Sequence, residues 1–291
     1  MKDFRDKVAA VTGAASGMGR ELAIELARRG CHLALADVDG QRLQETARLA
    51  AQPGVRITTA RIDVAERSAV FAWAEQVVRD HGRVHLVFNN AGVSLAGMAD
   101  RLSPADFEWI MGINFWGVVW GTQAFLPHLK ASGDGHVVNT SSLFGLLAIP
   151  GQAAYNASKF AVRGYTEALR MELELTGAPV SATCVHPGGI RTNIARSARI
   201  DPSVQALAGT DVEEARRRFD KLLDTTTARS AALQILRGVE KNRRRVLIGP
   251  DARLLDALAR LLASAYQPLV INLSRRMQGR GRPASPRTSP R

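Results

Sequence analysis

Cysteine is scarce in this sequence. Its 291 residues include only Cys31 and Cys184, and both lie in apolar stretches. Two cysteines are too few for a framework of disulfide bonds or for a cysteine-rich metal centre. We therefore expect both side chains to be buried as small apolar groups, and we predict no metal site.

Long apolar runs and aromatic residues are scarce as well. No uninterrupted apolar run has membrane-spanning length, and the charged start M-K-D-F-R-D-K leads into an apolar segment that glycines soon break, unlike a signal peptide. Aromatic residues make up only 5%, whereas alanine and glycine are abundant, which favours helices packed closely on a sheet over a β-sandwich. We expect a cytoplasmic protein.

Acidic residues are depleted in one part of the chain. The net charge is +12, yet residues 1–195 hold 19 Lys and Arg against 18 Asp and Glu, whereas residues 196–291 hold 20 against 9. A nucleic-acid binder would use this basic C-terminal third. Because the chain contains no recognisable nucleic-acid module, we rank that function last and expect no nucleic acid as a partner.

Short apolar, β-branched runs alternate with segments of helical periodicity from residue 7 to about 185. This alternation is typical of βα units around a parallel sheet. It predicts an α/β fold, a doubly wound parallel sheet with helices on both faces and a ligand at the carboxyl ends of its strands. Helices are predicted at Gly17–Arg29 and Ser68–Arg79, among others, and strands at Lys7–Thr12, His32–Ala36, Val55–Ala60, Val84–Phe88, His136–Asn139, Val180–Val185 and Val246–Ile248.

A glycine-rich segment, T-G-A-A-S-G-M-G from Thr12 to Gly19, follows the first predicted strand and opens a helix. Glycines there let a pyrophosphate approach the backbone and the helix N-terminus, although ordinary tight turns also use glycine. The second strand ends about 20 residues further on at Asp37, where a carboxylate binds ribose hydroxyls and repels the extra phosphate of NADP. We expect NAD, with NADP as the open alternative; the competing interpretation is that Asp37 only starts a turn.

Tyr155 and Lys159 lie four residues apart, on one face of a predicted helix. A phenol with a pKa of about 10 is a poor base at neutral pH unless a cation stabilises the phenolate, and Lys159 is placed to do so. Ser142 ends the preceding strand, where its hydroxyl can bind a substrate oxygen, with Ser141 as the competitor. Such a Tyr and Lys alone are usually not catalytic, but here they follow the glycine-rich turn and the serine.

These motifs resemble, in order, those of the short-chain dehydrogenase/reductase family. The matching segments are T-G-A-A-S-G-M-G, N-N-A-G at Asn89–Gly92, the set of Ser142, Tyr155 and Lys159, and P-G-G-I-R-T at Pro187–Thr192, together spanning residues 7–193. The resemblance implies a Rossmann fold with a seven-stranded parallel sheet. It also implies hydride transfer between a nicotinamide cofactor and an alcohol or ketone. We expect a homodimer or homotetramer.

The resemblance assigns roles to individual residues. It makes Tyr155 the general acid/base, Lys159 its pKa partner and a ribose ligand, Ser142 the group that orients the carbonyl, and Asn114 the holder of a water in the proton relay. Asp63 would contact adenine, and Ile190 and Thr192 would clamp the nicotinamide carboxamide. The complete set of expected cofactor ligands is Gly13, Ser16, Gly17, Met18, Gly19, Asp37, Asp63, Val64, Asn90, Ala91, Gly92, Tyr155, Lys159, Pro187, Gly188, Ile190 and Thr192.

Two loops that should face the substrate, Val93–Met98 and Ser142–Ala154, contain no charged residue. This composition favours an uncharged, apolar ketone or secondary alcohol, although about half of the apolar side chains there would only pack the core. The expected walls are Leu95, Leu143, Phe144, Leu146 and Leu147. The expected substrate contacts are Ser142, Leu143, Phe144, Tyr155 and Gly189.

The chain divides into a Rossmann-type domain over residues 1–250, which includes a substrate lid over about 193–225, a helical extension over 251–278 and a disordered basic tail over 279–291. The extension is predicted to be an amphipathic helix that Pro268 breaks, flanked by arginines. We expect its apolar face to pack against the protein's own body or a second subunit. A peripheral membrane contact is the alternative.

The sequence thus predicts an NAD-dependent secondary alcohol dehydrogenase or ketone reductase. A Rossmann-fold protein that senses the cofactor for regulation is the alternative. Such a protein would be expected to have lost Tyr155 or Lys159, and both are present.

Overall fold

The structure is a computed structural model that describes residues 1–194, 196–209, 211–222 and 225–279. Parts of the predicted lid, and the predicted disordered tail from residue 280 onward, lie outside the described residues.

Strands and helices alternate along the chain. The first half contains β1 (Val8–Thr12), α1 (Gly17–Arg28), β2 (His32–Asp37), α2 (Gly40–Ala50), β3 (Ile57–Arg61), α3 (Arg67–His81), β4 (Leu86–Asn89), β5 (Leu95–Ala96), α4 (Pro104–Met111), a π-helical turn (Gly112–Trp116) and α5 (Gly117–Ala131). The second half contains β6 (Gly135–Thr140), a 3-10 turn (Leu143–Gly145), α6 (Ala153–Leu175), β7 (Val180–Pro187), β8 (Ile190–Arg191), β9 (Arg199–Ile200), α7 (Val204–Ala208), α8 (Val212–Leu222), β10 (Thr226–Thr227), α9 (Ala228–Glu240), β11 (Arg245–Ile248), α10 (Pro250–Leu262), a 3-10 turn (Ala263–Ala265) and α11 (Tyr266–Gly279).

Seven parallel strands form the central sheet in the order β11-β7-β6-β4-β1-β2-β3. β1 pairs with β2 on one side, Val8 opposite His32, and with β4 on the other, Ala9 opposite Leu86. Because the strand order reverses at β1, a crevice for a ligand opens at the carboxyl ends of β1 and β4. All seven predicted strands lie in this sheet, which confirms the predicted α/β fold.

Side chains that alternate along the strands build a core on each face of the sheet. In β1, Ala9 and Val11 face α1, α2 and α9, whereas Val8 and Ala10 face α3, α5 and α6. Helices therefore cover both faces, and only the strand ends remain for a site. The core positions predicted on α1 and α3 are all buried: Leu22, Leu26, Val70, Trp73 and Val77.

The C-terminal extension is helical, as predicted, but it breaks at a different residue. Ala263 has φ 48°, in the left-handed region, and separates α10 from α11. Pro268 was expected to break the helix; it instead lies in the first turn of α11, where a missing N–H costs no intrahelical hydrogen bond. By length and composition the stretch Pro250–Arg276 suffices to cross a membrane, and only 6% of its apolar 18-residue window is buried.

Candidate active site

Two cavities adjoin at the carboxyl ends of the central strands. The larger, of 520 Å³, extends from Asp37 and Asp63 past the glycine-rich turn, and the smaller, of 370 Å³, contains Tyr155 and Lys159. Asn90 and Gly92 line both, so the two form one continuous cleft. We call them the cofactor cavity and the substrate cavity.

Of the expected cofactor ligands, all but Gly19 line one of these cavities. The cofactor cavity is lined by Gly13, Ser16, Gly17, Met18, Asp37, Asp63, Val64, Asn90, Ala91, Gly92 and Thr192, and the substrate cavity by Met18, Asn90, Gly92, Tyr155, Lys159, Pro187, Gly188, Ile190 and Thr192. Gly19 lines neither, because it packs against the turn itself. A Cβ on Gly19 would lie 2.1 Å from the carbonyl oxygen of Gly13.

The turn between β1 and α1 is shaped to admit a ligand close to its backbone. Gly13 has φ +65°, and a Cβ there would lie 2.8 Å from the Cα of Ala91. Helix α1 begins at Gly17, so its first N–H groups point toward the cofactor cavity, and a helix N-terminus favours an anion such as a pyrophosphate.

Asp37 closes the far end of the cofactor cavity. Its carboxylate accepts hydrogen bonds from the N–H groups of Ala15, at 2.9 Å, and Asp39, at 3.0 Å. These bonds fix the carboxylate at the end of β2. Arg42, on α2, lines the same end of the cavity and lies 3.6 Å from Asp39. The sequence analysis missed this cation, because Arg42 lies five residues beyond the strand end on a different element.

Asn90 presents an unpaired acceptor to the cleft. Its Nδ2 donates to the carbonyl oxygens of Thr12, at 3.0 Å, and Gly13, at 3.3 Å, which fixes the side chain beside the glycine-rich turn. Its Oδ1 is buried and has no hydrogen-bond partner among the described residues. A buried acceptor of this kind requires a donor, which a ligand in the cleft would supply. The residues present therefore fit a dinucleotide.

Tyr155 and Lys159 are both buried on the face of α6 that borders the substrate cavity. The Lys159 Nζ lies 5.7 Å from the centroid of the Tyr155 ring and donates a hydrogen bond of 3.1 Å to the carbonyl oxygen of Thr140 at the end of β6. The i, i+4 spacing on the helix thus brings the pair together at the strand ends.

Burial governs the ionisation of both groups. It raises the pKa of the Tyr155 phenol, while a hydrogen bond with Ser142 acts in the opposite direction. Burial lowers the pKa of the Lys159 ammonium to about 8. We expected Lys159 to lower the pKa of Tyr155; loss of solvation instead raises it, and the hydrogen bond with Ser142 is what acts against the rise. Tyr155 is therefore held in its protonated form at neutral pH, as a proton donor must be.

The two adjacent serines differ in their surroundings. The Ser141 hydroxyl is buried and donates a hydrogen bond of 2.7 Å to the carbonyl oxygen of Lys159, which ties β6 to α6. Both serines line the substrate cavity, but the Ser141 hydroxyl proton is committed to Lys159, whereas the Ser142 Oγ accepts from the N–H of Phe144 at 3.1 Å. Ser142 is thus the serine available to a substrate.

Asn114 lies in the π-helical turn between α4 and α5, a local widening that is frequent at functional sites. Its Oδ1 accepts from the N–H of Val93 at 2.8 Å, and its Nδ2 donates to the Val93 carbonyl oxygen at 3.0 Å and to the Ser158 Oγ at 3.1 Å. A Cβ on Gly92 would lie 3.1 Å from the Asn114 Oδ1 and 3.3 Å from the Lys159 Nζ. Asn114 itself lines neither cavity, because its buried side chain lies behind Gly92.

Comparison with known proteins agrees with this arrangement. The family model described as short chain dehydrogenase matches residues 7–203. A Mycobacterium tuberculosis protein, SadH, whose name describes it as an oxidoreductase, is 50% identical over 270 residues, which cover 93% of this chain and 96% of SadH. The chain belongs to the short-chain dehydrogenase family. It is an NAD(P)-dependent oxidoreductase with a Rossmann-type fold.

Solved structures of other dehydrogenases resemble this chain in fold. A short-chain dehydrogenase/reductase from Burkholderia phymatum in complex with NAD is 31% identical, with a TM-score of 0.83 over 91% of this chain and 96% of the other. An alcohol dehydrogenase from the archaeon Thermococcus sibiricus, complexed with 5-hydroxy-NADP, is 27% identical, with a TM-score of 0.67 over 82% and 93%. Both forms of the nicotinamide cofactor thus occur among the relatives.

The substrate cavity of the dehydrogenase is largely apolar. All five expected substrate contacts line it: Ser142, Leu143, Phe144, Tyr155 and Gly189. Among the other expected walls, Leu95 packs with Ile110 and Ala154, and Leu146 and Leu147 pack against α10, so these three belong to the core. Ile149 and Leu255 complete the apolar lining.

Asp251 is a charged wall residue that the sequence analysis missed. One carboxylate oxygen, Oδ2, accepts a hydrogen bond of 2.6 Å from the N–H of Gly189, and the other, Oδ1, is buried without a partner among the described residues. A Cβ on either Gly188 or Gly249 would collide with this carboxylate. Asp251 therefore joins the C-terminal extension to the P-G-G loop of the dehydrogenase.

Proposed function

We propose that the chain is an NAD-dependent dehydrogenase that interconverts a secondary alcohol and a ketone on an apolar, uncharged substrate. The observation that supports this best is the substrate cavity, in which Tyr155, Ser142 and Lys159 lie beside apolar walls and next to the cofactor cavity. A carbonyl oxygen near Tyr155 would leave the rest of the molecule among Leu143, Phe144 and neighbouring apolar side chains.

The cofactor would be held along the cleft by the residues that line it. The glycine-rich turn and the N-terminus of α1 would bind the pyrophosphate, Asp37 the adenosine ribose, Asp63 and Val64 the adenine region, and Thr192 the carboxamide. The bound nicotinamide supplies the hydride donor or acceptor.

The protein's own contribution is proton transfer and orientation. During reduction the Tyr155 hydroxyl would donate its proton to the carbonyl oxygen, and during oxidation the Tyr155 phenolate would accept the proton of the substrate hydroxyl, while the Ser142 hydroxyl holds the substrate oxygen in place. Lys159 places a positive charge beside the phenol and stabilises the phenolate left behind. Asn114 supports the same proton path from behind Gly92. General acid catalysis of this kind accelerates reactions roughly 10²–10⁴-fold.

We propose NAD over NADP on the strength of Asp37. A second phosphate on the ribose would approach a carboxylate already fixed by two backbone N–H groups. Arg42 favours the opposite choice, but its guanidinium lies near Asp39, which competes for it.

The test measures formation or loss of reduced nicotinamide with matched substrate pairs. The panel contains medium-chain ketones and their secondary alcohols, each beside a keto acid or hydroxy acid of equal length, with NAD and NADP in separate assays. We expect turnover of the uncharged members with NAD. Exclusive use of the acids would contradict the substrate class, and NAD binding without any turnover would favour the cofactor-sensing alternative. Tyr155→Phe is the control, since it removes only the hydroxyl.

We also propose a homo-oligomer. Trp116, which ends the π-helical turn, and Phe160 on α6 are large apolar side chains that are exposed in the single chain. Light scattering on the purified protein should give the mass of a homodimer or homotetramer of the 31.4 kDa chain. A monomer at all concentrations would contradict this.

A further inference from the structure

The C-terminal extension presents an apolar face away from the protein body. On α10 the side chains of Leu254, Leu258 and Leu261 are between 40 and 82% exposed, and on α11 the same holds for three more. We call Leu254, Leu258, Leu261, Leu269 and Leu273 the outer apolar face; Ile271 is exposed too, but helical geometry places it on another side of α11. Single exposed leucines are ordinary, but five on two consecutive helices form a surface that is usual for an interaction site.

The opposite side of the extension is fixed to the protein. Ala252 is buried, and Asp256 lies 3.5 Å from Arg245 of β11. In the turn before α6, the N–H of Ala148 donates a hydrogen bond of 3.0 Å to the Tyr266 hydroxyl at the start of α11. These contacts set the rotation of α10, so the outer apolar face cannot turn inward.

The extension carries more positive than negative charge. Asp251 binds the Gly189 N–H on the body side, whereas Asp256 lies between Arg245 of β11, at 3.5 Å, and Arg260 of its own helix, at 2.9 Å. After Asp256 the sequence contains seven arginines and no acidic residue. Four arginines of the described part of the extension are exposed: Arg253, Arg260, Arg275 and Arg276. Arg260 pairs with Asp256 and Arg253 donates to Gln234 of α9, so Arg275 and Arg276 on α11 are the cations that we expect to meet an anionic surface.

We propose that the outer apolar face docks on the surface of an anionic lipid bilayer. Leucines would enter the boundary between headgroups and acyl chains while the arginines contact anionic headgroups. A second copy of the chain fits less well, because a two-fold interface brings the same basic surface against itself.

The geometry indicates a helix pair that lies on the bilayer and does not cross it. Pro250–Arg276 is long enough to span, but Ala263 interrupts it with φ 48°. Spanning would also pull Asp251 and Asp256 from their partners into hydrocarbon, where unpaired charges are costly. An interfacial position keeps every contact of the inner side.

Docking would place lipid close to the substrate cavity. Leu255 lines that cavity from the inner side of α10, whereas Leu254 and Leu258 lie on its outer side. The cavity and the bilayer would then be separated by one helix, about 10 Å across. Only this link to the substrate rests on the proposed function; the docking itself does not.

The test is flotation of the full chain with vesicles of phosphatidylcholine, with and without phosphatidylserine, at low and high salt. We expect flotation only with phosphatidylserine, and weaker binding at high salt. Arg275→Gln with Arg276→Gln should weaken binding about 25-fold, at about fivefold per arginine. Leu258→Ser with Leu261→Ser and Leu273→Ser should weaken it at least about tenfold. Met171→Ser with Leu175→Ser on α6 is the matched control, since both side chains are similarly exposed.

Three results would overturn the proposal. The intact chain fails to float with phosphatidylserine vesicles in low salt; both variants float as the unmodified chain does; or the leucine variant lowers the mass in light scattering while flotation is unchanged, which assigns the face to an interface between copies. Thermal melts verify that each variant is folded. If the leucine variant does not fold, the variant with both arginines replaced still tests the proposal. Turnover of a water-soluble substrate in the same variants reports on the proposed function separately.

Discussion

The Asp251 carboxylate and the Gly189 N–H, 62 residues apart in sequence, are joined by a hydrogen bond of 2.6 Å. This bond connects the first turn of α10 to the loop that follows β7, where the expected nicotinamide ligands begin. A charge-assisted bond of this length is stronger than one between neutral groups. The extension thus takes part in shaping the site, although the residues of the family motifs precede it.

Asp251→Ala should loosen this loop. The Gly189 N–H would lose its acceptor, and losing a hydrogen bond to a charged group costs about 1.5–3 kcal/mol. We expect about tenfold or greater weakening of NAD binding, measured by titration calorimetry, and a lower melting temperature. Asp251→Asn, which keeps an acceptor oxygen, should show a smaller loss. Arg253→Gln is the control, since Arg253 lies two residues further along α10 and is exposed. NAD binding equal in all variants would show that the bond does not position the loop.

The choice of cofactor can be tested at the end of β2. Asp37→Ser with Val38→Arg exchanges a carboxylate for a cation next to the ribose, so kcat/KM with NADP relative to NAD should rise by about tenfold or more. Val38 is exposed, which leaves room for the longer side chain. Arg42→Gln in the unmodified background is the complementary variant and should reduce any residual use of NADP. An unchanged ratio in the double variant would place specificity elsewhere.

Much of this fold was predictable because its signals are local. The short apolar runs of β1 to β3 and the i, i+4 spacing of Tyr155 and Lys159 can each be recognised from residues a few positions apart. Strand β6, which ends two residues before Ser142, was predicted for the same reason. Sequence order along a parallel sheet then brings these residues to the same edge.

What the sequence analysis missed depends on contacts between distant segments. Asp251 lies at the N-terminus of a helix whose position is set by tertiary packing, so its proximity to Gly189 has no local signature. The helix break was assigned to Pro268 in place of Ala263 for a different reason: proline ends a helix in its interior but is tolerated in a first turn, and the sequence does not show where α11 begins. The raised pKa of Tyr155 follows from burial, which spacing alone does not reveal.

Acid should destabilise the protein before its carboxylates titrate. Burial lowers the pKa of His85 to about 4, of His136 to about 3 and of His186 to about 4, so each is neutral in the folded chain. The unfolded chain binds a proton at each histidine near pH 6.5. The contribution of these neutral histidines to the free energy of unfolding is therefore present above pH 6.5. It is lost as the pH falls from about 6.5 toward 4, by up to about 1.4 kcal/mol per pH unit for each histidine.

Urea unfolding at several pH values between 7.5 and 5 measures this slope. His85 accepts a hydrogen bond of 3.1 Å from the N–H of Val8 through its Nδ1, and a glutamine oxygen can replace that acceptor. His85→Gln should therefore reduce the slope by about one proton. A free energy of unfolding that stays constant from pH 7 to pH 5 would contradict the assignment of neutral buried histidines.

Two truncations distinguish the parts of the C-terminal region. Removing residues 280–291 takes away four arginines and no large apolar side chain, so turnover and melting temperature should stay unchanged while flotation with anionic vesicles weakens.

Removing residues from Asp251 onward strips Ala252, Leu255 and Tyr266 from the cluster that they form with Leu143 and its neighbours. That deletion also leaves the Gly189 N–H without its acceptor. We expect a loss of several degrees in melting temperature, since even about 2 kcal/mol shifts a protein of this size by that much, together with weaker NAD binding. Equal stability of the two truncated chains would show that α10 contributes nothing to the body it packs on, and the outer apolar face would then have no fixed orientation from which to dock.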